Sequence, residues 1–123
     1  MSQRLSFRNL SASLGGRAVL HQATASFDRN GLVALVGPNG AGKTTLLKSL
    51  VGLVSASGEI ALDGARAETL STRERALRVG YLPQGHAIHW PLPARDVVAL
   101  GRYARGSHDP SRLSADDRRA VEA

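Results

Sequence analysis

The sequence predicts an α/β fold organised around a strand, a glycine-rich loop and a helix, and three adjoining observations predict it. Leu32-Val33-Ala34-Leu35-Val36 is an unbroken apolar run, the composition of a strand buried on both faces of a parallel sheet. Gly37-Pro38-Asn39-Gly40-Ala41-Gly42-Lys43-Thr44 follows at once and satisfies G-x-x-x-x-G-K-[ST]. From Lys43 to Val51 the pattern turns helical, with Leu46, Leu47 and Leu50 on one face and Gly52 as a stop.

The other elements follow from local signals. Leu5, Phe7 and Asn9-Leu10 suggest a first strand, and Leu14-Gly15-Gly16-Arg17 a turn. A second extended segment is expected near Thr24 to Phe27, closed by Arg29-Asn30-Gly31. Gly58 to Gly64 should be a short strand running into a hairpin turn. Ser71-Thr72-Arg73-Glu74 has capping-box spacing, so a short helix should run to about Arg78. Val79-Gly80-Tyr81-Leu82 is expected to be another buried strand, stopped by Pro83. Gln84 to Pro93 should be a loop, Ala94 to about Tyr103 a helix, and Arg105 to Arg112 a polar connection. Ser114 can cap a last helix, with Asp116 and Asp117 placed against its dipole.

A chain of 123 residues suffices for one small domain. It has no cysteine, which excludes disulfides and thiolate metal sites. No apolar h-region follows Met1, and no apolar stretch is long enough to span a bilayer. The net charge is +6, and fourteen of the sixteen basic residues are arginines scattered from Arg4 to Arg119. They form no dense tract and are not interleaved with aromatics, so nucleic acid is not the expected partner. His86, His89 and His108 share a region with no cysteine and an intervening proline-rich loop, which argues against a metal cluster.

The chemistry concentrates at residues 37–45. Glycines let the loop curl so that successive amides face one concavity, and the following helix adds unsatisfied N–H groups and a positive dipole end. Lys43 can reach the β- and γ-phosphates as a point charge, and the Thr44 hydroxyl can ligate Mg²⁺. Thr45 offers a further amide and hydroxyl near the α-phosphate.

Gly-Pro-Asn-Gly-Ala-Gly-Lys-Thr-Thr-Leu-Leu, residues 37–47, closely resembles the Walker A motif of ABC ATPases. Leu5 to Leu10 looks like the opening strand of that family, and Gly58 to Gly64 like its early hairpin. Val79 to Gln84 resembles the strand and glutamine of the Q-loop, and Pro93 to Arg102 the start of the helical subdomain. The nearest likeness is to ATPases of importers for iron–siderophore, haem and cobalamin complexes. The resemblance implies a P-loop NTPase of ABC type, N-terminal part only. Residues 1–93 would form an antiparallel β subdomain with P-loop and Q-loop, and residues 94–123 the start of the helical subdomain. It implies ATP and Mg²⁺ as ligands, with Gly37, Pro38, Asn39, Gly40, Ala41, Gly42, Lys43, Thr44 and Thr45 around the phosphates. Gln84 would sense Mg²⁺ and the γ-phosphate, and its loop, which holds Trp90, would meet a membrane subunit. It also implies a second ATP-binding subunit, transmembrane permease subunits and, indirectly, a substrate-binding protein, at the cytoplasmic face of the membrane.

The chain departs from the family at two places. Leu14 stands where an adenine-stacking aromatic is expected, with Val19 as further apolar wall, so base recognition should weaken by about 1 kcal/mol. No Leu-Ser-Gly-Gly-Gln signature, no apolar strand ending in Asp-Glu and no switch histidine occur, so negligible hydrolysis by this chain alone is expected. In the family's sheet the P-loop and Q-loop strands are not adjacent, so here both should lack neighbours, as in a piece of a longer protein. The alternatives are a soluble P-loop nucleotide kinase, for which Arg102, Arg105 and Arg112 make a poor lid, and a basic nucleic-acid-binding domain without catalysis.

Overall fold

A computed structural model describes residues 3–28, 30–85 and 87–123. The chain divides into two compact units, Met1–Val79 and Gly80–Ala123.

The first unit is built on a hairpin of two twelve-residue strands, β1 (Gln3–Leu14) and β2 (Arg17–Asp28), joined at Gly15-Gly16. Both strands outrun their expected lengths because bulges break the alternation. Asn9 and Gln22 take positive φ (52° and 48°), and a hydroxyl from the neighbouring strand accepts from each displaced amide. Thr24 Oγ1 accepts from Asn9 N and Ser11 Oγ from Gln22 N, both at 2.9 Å. The slip at Asn9 turns Phe7, Leu10 and Ala12 to the same side, which simple alternation would not allow.

Two further strands complete an antiparallel sheet in the order β2-β1-β3-β4, with β3 at Ser57–Leu62 and β4 at Ala65–Arg66. The β3–β4 turn is Asp63-Gly64, both with positive φ as a two-residue hairpin requires. At Gly58 (φ +109°) the chain lies so close to β1 that a Cβ would stand 2.6 Å from the Asn9 carbonyl oxygen and 2.7 Å from that of Arg8.

The helix α1 (Lys43–Leu50) lies against this sheet and closes the core with Leu50, supported by Leu46. Leu10 is wholly buried, a burial worth about 1.5–3 kcal/mol. Leu47, expected on the same inner face, is largely exposed. The helix ends in a Schellman motif: Leu53 N donates to Lys48 O (2.8 Å) and Gly52 N to Ser49 O (3.1 Å). Ser49 Oγ is buried and has no hydrogen-bond partner among the described residues. A 3-10 turn (Ala67–Thr69) leads to α2 (Thr72–Arg78), which carries the expected capping box. Ser71 N donates to Glu74 Oε2 (2.8 Å) and Glu74 N to Ser71 Oγ (3.2 Å). The Ser71 hydroxyl also donates to Glu74 Oε2 (2.7 Å), and that bond foremost, with the one from Ser71 N, holds the Glu74 carboxyl below its usual range.

Two expectations fail. Leu32–Val36 and Val79–Leu82 are not strands, and Leu32 and Leu82 are almost fully exposed. A strand exists by pairing, and no described residue pairs with either segment. Their apolar composition calls for neighbours on both sides that the described residues do not supply. The Asn30-Gly31 turn is present in part, Asn30 having φ 65°, while Arg29 lies outside the described residues.

In the second unit α3 (Ala94–Ala99) tightens into a 3-10 stretch, Leu100–Arg105, around Gly101, a poor helix former. A further 3-10 turn (Pro110–Arg112) precedes α4 (Ala115–Glu122), capped by Ser114, whose Oγ accepts from Asp117 N at 3.1 Å. No helix is long and apolar enough to cross a membrane, among the described residues.

Candidate functional site

The glycine-rich loop is exposed from Gly37 to Ala41 and enters α1 through Gly42, the helix N-cap, which has φ +94°. Gly40 is also left-handed (φ +84°), and Ala41 N donates to Pro38 O at 3.2 Å, so the loop doubles back just before the helix. A Cβ on Gly42 would meet Leu20 Cδ2 and the Val19 carbonyl oxygen at 3.1 Å and Val19 Cγ1 at 3.2 Å. Glycine is needed here for both conformation and space.

An N-cap glycine has no side chain to satisfy the first-turn amides, and no side-chain cap bond is made. No acidic residue sits in the first turn to offset the dipole. The helix therefore presents free N–H groups and its positive end beside the loop. Lys43 folds back over this loop, its Nζ donating to Gly37 O (2.6 Å) and Pro38 O (2.8 Å). A cation is thereby fixed over the loop beside the uncapped end of α1, which fits an anion carrying several oxygens.

Thr44 is exposed and Thr45 buried. The Thr44 hydroxyl is one hard oxygen donor at this helix end, and no group of three His, Cys, Asp or Glu residues gathers as a metal site among the described residues. A Mg²⁺ ion here would take most of its ligands from phosphate oxygens and water.

Val19 is the site residue whose placement no local signal reveals. The register slips between Ala12, opposite Leu20, and Ser13, opposite Ala18, which leaves Val19 without a cross-strand partner. The slip carries Val19 against Gly42, and both line an open cleft with His21, Lys43 and Leu46. His21 was not foreseen, because a lone exposed histidine carries no motif. Leu14 sits opposite Arg17 at the hairpin end, 47% exposed, and does not line that cleft.

Gln84 lies exposed in the second unit, in a turn with Gly85 (φ +66°). Trp90 is exposed beyond it. His89 is exposed, and His108 packs edge-on to Tyr103 at 4.5 Å. His86 lies outside the described residues. Asp117 has a larger part than helix capping: its buried carboxylate accepts from Ser107 Oγ, Ser114 Oγ (2.7 Å) and Arg102 Nε (2.6 Å). Those bonds, from Ser107 foremost, then Ser114 and Arg102, pull its pKa down to about 2.

Residues 20–121 match the ABC transporter family. The chain belongs to that family. It is 39% identical over 119 residues to the hemin import ATP-binding protein HmuV of Bordetella pertussis, covering 96% of this chain and 45% of that protein. It is 36% identical to the manganese transport system ATP-binding protein MntB of Bacillus subtilis, covering 79% of this chain and 38% of the relative. A solved structure, described as the ATP binding subunit of an ABC transporter, superposes with a TM-score of 0.72 at 30% identity, covering 91% of this chain and 44% of the other. This ABC chain thus spans less than half the length of these relatives. The fold match agrees with an ABC ATPase of which the N-terminal part is present.

Proposed function

We propose that this ABC chain is the nucleotide-binding part of an importer ATPase, holding Mg-ATP on residues 37–45. The observation that carries the reading is Lys43, whose ammonium is clamped by two loop carbonyls at the uncapped N-terminus of α1. The substrate class taken up would be a metal chelate, a metal ion or a related compound, as the names of the similar hemin and manganese proteins suggest. In that setting Thr44 and Gln84 would contact Mg²⁺, and the loop of Gln84 and Trp90 would face a permease subunit. The chain would act with a second ATP-binding subunit and, through the permease, with a substrate-binding protein, on the cytoplasmic face of the membrane. Alone it would bind ATP without turnover, because residues 1–123 hold neither a signature motif nor an apolar run ending in Asp-Glu.

The test is a thermal melt of the chain with and without Mg-ATP, beside Lys43→Ala. Ligand at about 100 times its dissociation constant adds about 2.7 kcal/mol to a folded binder. The wild type should gain that stability, and Lys43→Ala should gain little or none. No ATP-dependent shift, or the same shift in the variant, would overturn the assignment.

A further inference from the structure

We propose that the outer face of the first unit's sheet binds a small zwitterion of the α-amino acid class, its carboxylate on Arg8 and its ammonium on Glu59. The site is separate from the loop at the head of α1 and does not depend on the nucleotide reading.

In an antiparallel sheet, residues directly opposite one another project to the same side. The row of Phe7, Ala25 and Ile60 faces the core. The neighbouring row, Ser26, Ser6, Ala61 and Arg66, crosses all four strands from β2 to β4 on the other side. Its first three side chains are short, so a trough runs over them towards Arg66. Arg8 and Glu59, opposite each other in the next outward row, bound it along one side. The cleft they enclose has a volume of about 310 Å³, which suits a small ligand.

The charges decide which ligand fits. Arg8 and Glu59 have the register of a cross-strand ion pair, with Cβ atoms about 5 Å apart. Neither makes an ion pair or a side-chain hydrogen bond among the described residues, and both line the cleft instead. Glu59 is also diagonal to Arg66, but Arg66 is held by Glu68 at 2.5 Å. One cation and one anion therefore stand side by side, uncommitted, while the charge of Arg66 is already offset. A simple anion here would meet Glu59, and a simple cation would meet Arg8. A molecule that carries both charges on one carbon answers both groups at once. The guanidinium fork takes the two carboxylate oxygens, and the ammonium donates to Glu59. The hydroxyls of Ser6 and Ser26 make no hydrogen bond among the described residues and are open to the rest of the ligand along the trough.

The experiment titrates the isotopically labelled whole chain with L-alanine, acetate, alanine methyl ester and N-acetylalanine, and follows amide shifts by NMR. L-Alanine should move the Ser6, Arg8, Ser26 and Glu59 signals in one saturable transition, with a dissociation constant on the order of 1 mM for so small a ligand. The other three probes each lack one of the two charges and should bind at least about 10-fold more weakly. Arg8→Gln and Glu59→Gln should each weaken L-alanine by about 3- to 10-fold. Both side chains are exposed, so neither change should alter the thermal melt. The double exchange Arg8→Glu with Glu59→Arg keeps both charges and should hold affinity within about 3-fold of the wild type. Absence of a saturable shift at these residues would overturn the proposal. So would equal binding of the singly charged probes, or an L-alanine affinity that both glutamine variants leave unchanged.

Discussion

Gly58→Ala tests whether the bulge in β1 and the glycine in β3 form one unit. The perturbation adds a single Cβ at φ +109°, where it would lie 2.6 Å from the Asn9 oxygen and 2.7 Å from the Arg8 oxygen. Cβ atoms essentially never approach closer than 3.0 Å, and both obstacles are backbone, so the strands must part by several tenths of an ångström. The backbone conformation itself costs an L-residue about 1–2 kcal/mol. Loosening one or two ladder hydrogen bonds costs about 1 kcal/mol each. The loss should total about 2–4 kcal/mol, or a fall in Tm of about 10–20 °C for a chain of this size. Gly64→Ala is the control, because Gly64 also has positive φ (+78°) but nothing within 4 Å of its would-be Cβ. It should lose only the conformational part, about 1–2 kcal/mol. Thermal and urea melts followed by circular dichroism measure both. Equal losses in the two variants would refute the close-approach argument.

Three further outcomes are expected. Asp117 has a lowered pKa, so its contribution to the second unit should be complete above its unfolded value near 3.8 and fade as pH falls towards about 2. Asp117→Asn should flatten that dependence when melts at pH 5 and pH 2.5 are compared, and an unchanged slope would count against the network. Ser49→Ala removes a buried hydroxyl without a partner and improves helix propensity, so chemical denaturation should show a gain of about 0.5–1 kcal/mol. Leu32→Thr should change stability by less than about 0.5 kcal/mol in this chain, since Leu32 is fully exposed. A loss several times larger in the same assay would mean that the apolar run is packed in solution.

Features encoded within a few residues were legible in the sequence. The loop at 37–44, the Ser71–Glu74 box, the Ser114 cap and the Asp63-Gly64 turn are each short strings whose geometry is local. What escaped depends on register or on distant partners. The bulges at Asn9 and Gln22 rest on hydroxyls fifteen and eleven residues away, so alternation alone ends β1 too early. Val19 reaches Gly42 only because of a slip between strands, and Asp117 becomes a hub only after the turns from Leu100 to Arg112 bring Arg102 and Ser107 to it. The apolar runs at 32–36 and 79–82 were misjudged for a different reason. Hydrophobicity reports what a segment needs around it, and the described residues do not provide that surrounding.

The clamp on Lys43 has a geometric consequence. An ammonium carries three N–H bonds in a tripod. Two legs stand on the Gly37 and Pro38 carbonyls, which leaves one to point outward. The ligand need not compete for the charge or wait for a long side chain to find it, because the loop already holds the amine in place at no cost to the remaining donor. A guanidinium at this position would have the charge but a flat, rigid fork in place of the tripod, and would present its donors in a plane and not from a single point. In a chain with fourteen arginines and two lysines, the residue at this position is the one whose charge is a compact point.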